Sequence, residues 1–249
     1  MTAKAYYERY WSDEGFFPRG RMTAPLAALF RAHVPAGADC LDLGCGDGRA
    51  SGLWLKQNAR SYVGVDISEN AVRQARAAGL DARVIMDATR LPFSERSFDV
   101  AVCLEVLEHV FEPAAVATEL ARVLRPGGVV LVTVPNVAYW RRRLDFFFLG
   151  RWNPLGDDRS TREPWRDPHV RFFTRKTLAA MLEGTGFREV LVGGHGGTIL
   201  GDVPVARGLC RARCGWATPG WISNPIYSRL EAGLPALLGY RLHGVGRKT

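Results

Sequence analysis

The sequence has no apolar run that approaches the ~20 residues needed to cross a bilayer, which excludes a membrane-spanning helix. Residues 1–9 lack the charged-then-apolar layout of a secretory signal, so we expect a cytoplasmic protein. Cysteine is scarce and odd in number, with five residues, and Cys40, Cys45 and Cys103 lie in segments typical of buried strands or strand ends. We therefore expect reduced thiols and not a disulfide framework.

Internal repeats and low-complexity tracts are also missing, which excludes repeat architectures and broad disorder. What is present suits one large core, because 47% of the 249 residues are apolar and 23% are charged. We predict a single α/β domain over residues 1–249. The formal net charge of +8 favours anionic partners without naming one.

Short apolar runs alternate with longer amphipathic stretches, a pattern typical of repeated βα units around a parallel sheet. The predicted strands cover residues 40–43, 62–65, 82–85, 98–103 and 129–134, and the predicted helices between them cover 49–58, 68–78 and 113–124. Right-handed crossovers then give a doubly wound, Rossmann-like sheet. We assign residues 39–136 to this core, and 1–38 to an aromatic-rich leader and helix that either packs on the core or forms a lid. Residues 137–170 and 193–239 are predicted substrate-side insertions after strand 5 and between the last two strands, with irregular chain over 136–168.

The most informative segment is LDLGCGDG at residues 41–48, which ends the first strand and opens the next helix. Gly44, Gly46 and Gly48 permit a positive φ and let the backbone lie against a ligand. About 20 residues further on, Asp66 ends the second strand, where a carboxylate can accept hydrogen bonds from both ribose hydroxyls. This pair of features predicts a nucleoside-binding edge of the sheet.

The spacing of the glycines separates two kinds of nucleoside ligand. A dinucleotide turn has the pattern G-x-G-x-x-G and leaves a helix N-terminus open to pyrophosphate. Here the pattern is G-x-G-x-G after Asp42, and an acid so close repels a diphosphate but suits an amino-acid ammonium group. Asp42 for an amino group, Asp66 for a ribose and a third acid, Asp87, after the third strand together indicate S-adenosylmethionine.

These residues resemble the class I S-adenosylmethionine-dependent methyltransferases, over about residues 39–136 and more loosely to the C-terminus. Besides LDLGCGDG, the motifs are GVDIS (64–68), MDA (86–88), LPFSERSFDV (91–100) and LRPGG (124–128). The resemblance implies seven strands with the last one antiparallel, so that residues 187–192 and 240–248 would be hairpin partners. It also implies a cofactor pocket in which Gly44, Cys45 and Gly46 line the loop and Asp87 and Ala88 bind the adenine. Ile67 would pack on the adenine face, and Leu104 and Glu105 would lie beside the methionine portion.

A second segment, EVLEH at residues 105–109, follows the fourth strand at the edge where open α/β sheets bind ligands. If it is helical, Glu105, Glu108 and His109 share one face. Three interpretations stay open: a helix start that lines the cofactor pocket, a general base at His109, and a divalent-metal site. The third comes from a resemblance to the ubiquinone-biosynthesis O-methyltransferases, whose E-x-x-E-H run and a later His, here His169, bind a metal. His169 is also a candidate base.

The middle segments VPNVAYWRRRL (134–144) and RFFT (171–174) resemble methyltransferase-like proteins of bacterial methionine biosynthesis, which implies a small-metabolite acceptor. The run at residues 141–143 is interpreted as a solvated face or as a basic rim for a phosphate or carboxylate on the acceptor. No nucleic acid is expected, because the sequence has no recognisable RNA-binding module. The oligomeric state is not indicated.

From this evidence we predict methyl transfer from S-adenosylmethionine to a small molecule, at oxygen because no Asn/Asp-Pro-Pro-Tyr motif for amino groups follows the fourth strand. A divalent metal is a further candidate cofactor. Two alternatives stay open: a cofactor-binding scaffold that regulates a biosynthetic partner, and an enzyme that uses the same pocket for other chemistry.

Overall fold

The computed structural model describes residues 2–12, 21–151, 168–195, 237 and 239–249. Its helices are α1 (Ala3–Tyr10), α2 (Ala24–His33), α3 (Gly52–Asn58), α4 (Glu69–Ala77), α5 (Pro113–Val123), α6 (Trp140–Leu149) and α7 (Arg175–Gly184). Its strands are β1 (Asp39–Leu43), β2 (Ser61–Asp66), β3 (Ala82–Val84), β4 (Phe98–Leu104), β5 (Leu124–Pro135), β6 (Phe187–His195) and β7 (Arg241–Lys248). None of the described helices is long and apolar enough to cross a membrane.

The seven strands form one sheet in the order β3-β2-β1-β4-β5-β7-β6. Strands β1 to β5 pair in parallel, whereas β7 lies between β5 and β6 and is antiparallel to both. The strand order reverses at β1, and ligands of open α/β sheets bind outside the carboxyl ends of the strands at such a point. The prediction of a doubly wound sheet with an antiparallel final strand is confirmed.

Both faces of the sheet are covered, which explains the continuous apolar runs of the central strands. Along β4, Ala101 and Cys103 pack on the face that carries α5 and α7, whereas Val100 and Val102 pack on the face that carries α2 and α3. Side chains cap two of the helices, Ser68 at α4 and Thr174 at α7, whereas α3 begins at Gly52, three residues later than predicted. Packing on both faces of the sheet holds the carboxyl ends of β1, β2 and β4 at one edge of the sheet.

Two local predictions are wrong. The chain after β5 is not irregular throughout, because residues Trp140–Leu149 form α6, which ends at Gly150 in the left-handed region. Arginine and leucine favour helix and a glycine at this position is a common helix end, so the signal was present in the sequence. Residues 105–109 do not form one helical face, since only Leu107–His109 make a short 3₁₀ turn and Glu105 precedes it with a φ of 54°.

Other expectations fall partly outside the described residues. Cys40, Cys45 and Cys103 are buried and free, as predicted. Of the predicted insertions, residues 152–167 and most of 193–239 lie outside the described part of the chain, although β6 continues to His195.

Candidate active site

The glycine-rich loop after β1 is held against the end of β2 by its own backbone. The N–H groups of Gly44 and Cys45 both donate to the carbonyl of Val65, at 2.8 and 3.1 Å. Gly44, Gly46 and Gly48 all have a positive φ, as the sequence predicts. A Cβ on Gly46 would lie 2.6 Å from the ring of Trp11, so the loop needs glycine here for space as well as for conformation.

Asp66 lies at the carboxyl end of β2 and joins this loop to α4. Its carboxylate accepts from the N–H of Gly46 and from the N–H of Ser68, each at 2.9 Å. Burial raises the pKa of Asp66, and the backbone donors oppose that shift. The carboxylate therefore lies beside the glycine loop, where the sequence predicts a ribose-binding acid.

The other two predicted acids have different surroundings. Asp42 is 1% exposed, and its Oδ2 accepts from the hydroxyls of Ser51 at 2.6 Å and Tyr62 at 3.1 Å. Burial raises its pKa to about 6. Asp87 lies on the surface, where its carboxylate accepts from the backbone N–H and hydroxyl of Thr89 at 2.8 and 2.6 Å.

Helix α1 covers the edge of the sheet where these groups meet. The carboxylate of Glu8 accepts from the N–H groups of Glu69 and Asn70 at 2.6 and 3.1 Å, so it caps the N-terminus of α4. The ring of Trp11 lies against Gly46. Sequence reasoning proposed a lid or simple packing for this leader, and the contacts tie α1 to the glycine loop.

A second cluster follows β4 at the same edge. Glu108 is 1% exposed, and neither of its carboxylate oxygens has a hydrogen-bond partner among the described residues. Its Oε1 lies 3.7 Å from Nε2 of His109 and 3.9 Å from Nε2 of His169. Burial raises the pKa of Glu108 well above its usual range, and the charge of Glu105 adds to this.

The two imidazoles of this cluster stack, with ring centroids 4.6 Å apart. Nδ1 of His109 lies 3.2 Å from the carbonyl of Pro168, and a carbonyl only accepts, so Nδ1 donates and Nε2 carries the lone pair of the neutral ring. One ligand atom from each of Glu108, His109 and His169 lies within 4.8 Å of the others. A carboxylate and two imidazoles at this spacing suit one divalent cation.

Glu105, the fourth metal candidate from the sequence, is not part of this cluster. Its Oε2 accepts from Nε of Arg241 at 3.0 Å. Its positive φ turns the residue away from the 3₁₀ turn, and its backbone N–H donates to the carbonyl of Thr133 at 3.0 Å. The structure thus brings together three of the four candidates.

Two further residues of this edge, Tyr7 and Arg241, were missed as site residues by the sequence analysis, which offered Arg142 as part of a basic rim. Tyr7 packs its ring edge-on against His109 at 5.7 Å, and its hydroxyl is buried without a hydrogen-bond partner. Arg142 and Arg241 both lie against the ring of Tyr240, at 4.9 and 5.7 Å from its centroid. Arg142 is 6% exposed, which contradicts a solvated face for the middle of the 141–143 run. No local sequence motif marks Tyr7 or Arg241 as a site residue, because their contacts join distant parts of the chain.

The remaining predicted residues line the same region. Half-buried positions are Ile67 after β2, Ala88 after β3 and Leu104 at the end of β4. The thiol of Cys45 is buried, and burial raises its pKa. The glycine loop with Asp66 on one side and the carboxylate–imidazole cluster on the other therefore lie at the carboxyl ends of β1, β2 and β4.

Comparison with known proteins identifies this arrangement. Residues 41–132 match the family model of the methyltransferase domain. The core of the chain is therefore similar to class I S-adenosylmethionine-dependent methyltransferase domains. Relatives are named as S-adenosylmethionine-dependent, in agreement with the cofactor predicted from the sequence.

Individual relatives match parts of this chain. The "Probable S-adenosylmethionine-dependent methyltransferase" of Mycolicibacterium smegmatis is 37% identical over 158 residues, 63% of this chain and 54% of the relative. The ubiquinone biosynthesis O-methyltransferase of Hahella chejuensis is 36% identical over 137 residues, 51% of this chain and 57% of the relative. The chain thus spans a little over half the length of these two curated relatives.

The fold extends over more of the chain than the sequence similarity does. The crystal structure of an S-adenosylmethionine-dependent methyltransferase from Archaeoglobus fulgidus aligns with 99% of this chain and 100% of its own. The TM-score is 0.59 at 16% identity, which shows a shared fold alone.

Proposed function

We propose that this protein transfers the methyl group of S-adenosylmethionine to a hydroxyl oxygen of a small-molecule acceptor. The cluster of Glu108, His109 and His169 carries the proposal, because it puts a buried acid and two imidazoles next to the cofactor-binding edge. The name of the Hahella chejuensis relative specifies transfer to oxygen, which supports the choice of atom. The cytoplasmic location stays a prediction.

The cofactor would be bound by the loop and strand ends already described. In this proposal Asp66 accepts the ribose hydroxyls, Asp42 faces the ammonium group and Asp87 with Ala88 binds the adenine. Ile67 packs on the adenine ring, while Leu104 and Glu105 lie beside the methionine portion. The positive φ at Gly44 and Gly46 supports this arrangement, because it lets the loop backbone approach a ligand closely.

The acceptor would lie beside the imidazoles. Nε2 of neutral His109 carries a lone pair and is able to take the hydroxyl proton as the methyl group arrives, with His169 as the second candidate base. The reaction is an in-line displacement, so most of the catalytic effect comes from holding the oxygen about 3 Å from the methyl carbon. We assign residues 137–170 and 193–239 to the acceptor side of the site.

A divalent cation is the alternative to an imidazole base at the same cluster, because Nε2 of His109 cannot bind an ion and take a proton at once. The two carboxylate oxygens of Glu108 lack hydrogen-bond partners, and the Pro168 carbonyl orients His109 in the way that a ligating imidazole requires. We infer that Glu108, His109 and His169 would hold the ion. When bound, such an ion lowers the pKa of the acceptor hydroxyl.

The first experiment is a calorimetric titration with S-adenosylhomocysteine, compared with NADH. We expect micromolar binding of the former alone. Asp66→Ala should weaken it by about 1–3 kcal/mol, since it removes the contact to the ribose. Binding of NADH, or unchanged affinity in the variant, would contradict the assigned cofactor site.

The second experiment follows transfer of label from S-adenosylmethionine to a panel of phenols and catechols, with product mass spectra to identify the methylated atom. Loss of activity with EDTA and in Glu108→Gln, with recovery of the wild type by Mn²⁺ or Zn²⁺, supports the metal site. Glu112→Gln changes an exposed neighbour and serves as the control. Activity that survives EDTA favours the imidazole base alone, and cofactor binding without transfer favours a scaffold.

A further inference from the structure

The second residue of the 141–143 arginine run is buried in the first part of α6. Arg142 is 6% exposed, whereas Arg143 is exposed and donates from Nε to the carbonyl of Ala138 at 2.7 Å. Tyr139, just before the helix, is itself 2% exposed, and its ring meets the ring of Tyr240 edge-on at 5.7 Å. The start of α6 is therefore fixed against the start of β7, and the Arg142 guanidinium cannot simply turn into solvent.

Among the described residues, the Arg142 guanidinium has no carboxylate or carbonyl as a hydrogen-bond partner. Its Nε, Nη1 and Nη2 are all buried, and its neighbour is the Tyr240 side chain, whose ring centroid lies 4.9 Å away. Burial lowers the pKa of Arg142, since the charged form loses its hydration. A buried guanidinium without hydrogen-bond acceptors is unfavourable, so an anionic ligand that accepts its hydrogen bonds would stabilise it.

The carboxylate whose charge acts on Arg142, that of Glu105, already accepts a hydrogen bond from another arginine. Glu105 accepts from Nε of Arg241 at 3.0 Å, and the Arg241 guanidinium lies against the same Tyr240 ring at 5.7 Å. Two guanidinium groups thus share one aromatic ring and one carboxylate. This leaves a net positive charge beside Glu105 at the end of β4, on the side of the site where the acceptor is proposed to lie.

We propose that Arg142 binds an acidic group, a carboxylate or a phosphate, on the acceptor. This inference rests on the proposed function, since it assigns the acceptor's chemical class at the same site. A guanidinium presents its N–H donors in a planar fork that matches both kinds of acid, and Tyr240 holds that plane in place by stacking. The acceptor is then a hydroxyl compound with an acidic substituent.

The test measures binding of small probes to the protein saturated with S-adenosylhomocysteine. Benzoate and phenyl phosphate carry the acid, and benzamide is the neutral control. We expect at least one acid to bind the wild type at least tenfold more tightly than benzamide. Arg142→Met should abolish that preference, Arg142→Lys should retain part of it, and Arg143→Met should leave it unchanged. Equal binding of acids and benzamide by the wild type, or an unchanged preference in Arg142→Met, would overturn the inference.

Two further measurements test the alternative roles of Arg142, which are binding of the cofactor carboxylate and pairing within the folded protein. If Arg142 binds the carboxylate of the cofactor instead, Arg142→Met will weaken S-adenosylhomocysteine but not 5′-methylthioadenosine, which lacks that carboxylate. If Arg142 is paired within the folded protein, Arg142→Met will lower the melting temperature, whereas removal of an unpaired buried charge should raise it or leave it unchanged. Either result overturns the inference. Cofactor binding and methyl transfer by the wild type are scored separately, so the proposed function can stand when this inference fails.

Discussion

Asp42→Asn should stabilise the folded protein at neutral pH, although the residue belongs to the proposed cofactor site. Asp42 is 1% exposed, and burial raises its pKa to about 6 from the ordinary 3.8. The carboxylate accepts from Ser51 and Tyr62, and these bonds only partly offset its lost hydration. The ionised side chain is thus less favourable in the folded protein than in the unfolded chain.

The size of the change in the free energy of unfolding, and the pH range in which it occurs, follow from that pKa difference. Between about pH 3.8 and 6 the folded protein keeps this proton while the unfolded chain has lost it, so the free energy of unfolding falls as the pH rises. At about 1.4 kcal/mol for each tenfold change in proton affinity, the total loss is about 3 kcal/mol above pH 6. Asparagine keeps an oxygen that accepts from both hydroxyls and carries no charge, so the variant should gain up to about 3 kcal/mol at pH 7.

The assay is urea unfolding at several pH values from 4 to 8. Asp39→Asn on the same strand is the matched control, because hydrogen bonds from Arg60 and Ser61 hold the pKa of Asp39 well below its usual range. Its charge stabilises the folded state above pH 4 and that stabilisation is lost as the pH falls, so this variant should be less stable at pH 7. If Asp42→Asn is less stable than the wild type at pH 7, or keeps the wild-type pH dependence, the reasoning about burial is refuted.

Two other predictions concern α1 and the loop beneath it. Gly46→Ala should lower the melting temperature more than Gly37→Ala does. Both positions have a positive φ, but only Gly46 faces the Trp11 ring. Adding Trp11→Ala to the Gly46→Ala variant should therefore remove most of the difference. Equal effects of the two glycine variants would argue against that contact. Glu8→Gln should destabilise by ~1 kcal/mol and speed amide exchange in α1, since it weakens the cap on α4. Glu183→Gln, an exposed acid on α7, is the control, and the same exchange rates in both would contradict the tether.

The central strands and the cofactor loop could be predicted because their signals are local. Parallel strands buried on both faces are continuous apolar runs, and the positive φ of the loop requires glycine at fixed spacing. The residues Gly44, Gly46 and Asp66 therefore lie where the sequence indicates. Helix α6 was missed although Gly150 marked its end, because a run of arginines and phenylalanines has no clear amphipathic period.

The contacts on the acceptor side could not be predicted, because they depend on pairing between distant segments. Glu105 was expected on a helical face with Glu108, but its positive φ directs it to Arg241, 136 residues away. The burial of Arg142 depends likewise on Tyr240, which only the β5–β7 pairing brings near α6. Local periodicity carries no information on either contact.

The buried charged groups of the site include acids and a cation, so they are complementary to ligands that carry charges of both signs. Asp42, Asp66 and Glu108 are buried acids whose pKa values burial raises, while Arg142 is a buried cation that shares the charge of Glu105 with Arg241. These groups are unfavourable for folding, and core packing alone would favour apolar residues in their place. An ammonium group, a ribose, a divalent ion and an acidic acceptor would each bind one of these four buried groups. The charge of Glu105 acts on both Glu108 and Arg142, which places the cluster and the cation in one site. In the proposed complex the hydroxyl of the acceptor therefore faces His109 and its acidic group faces Arg142.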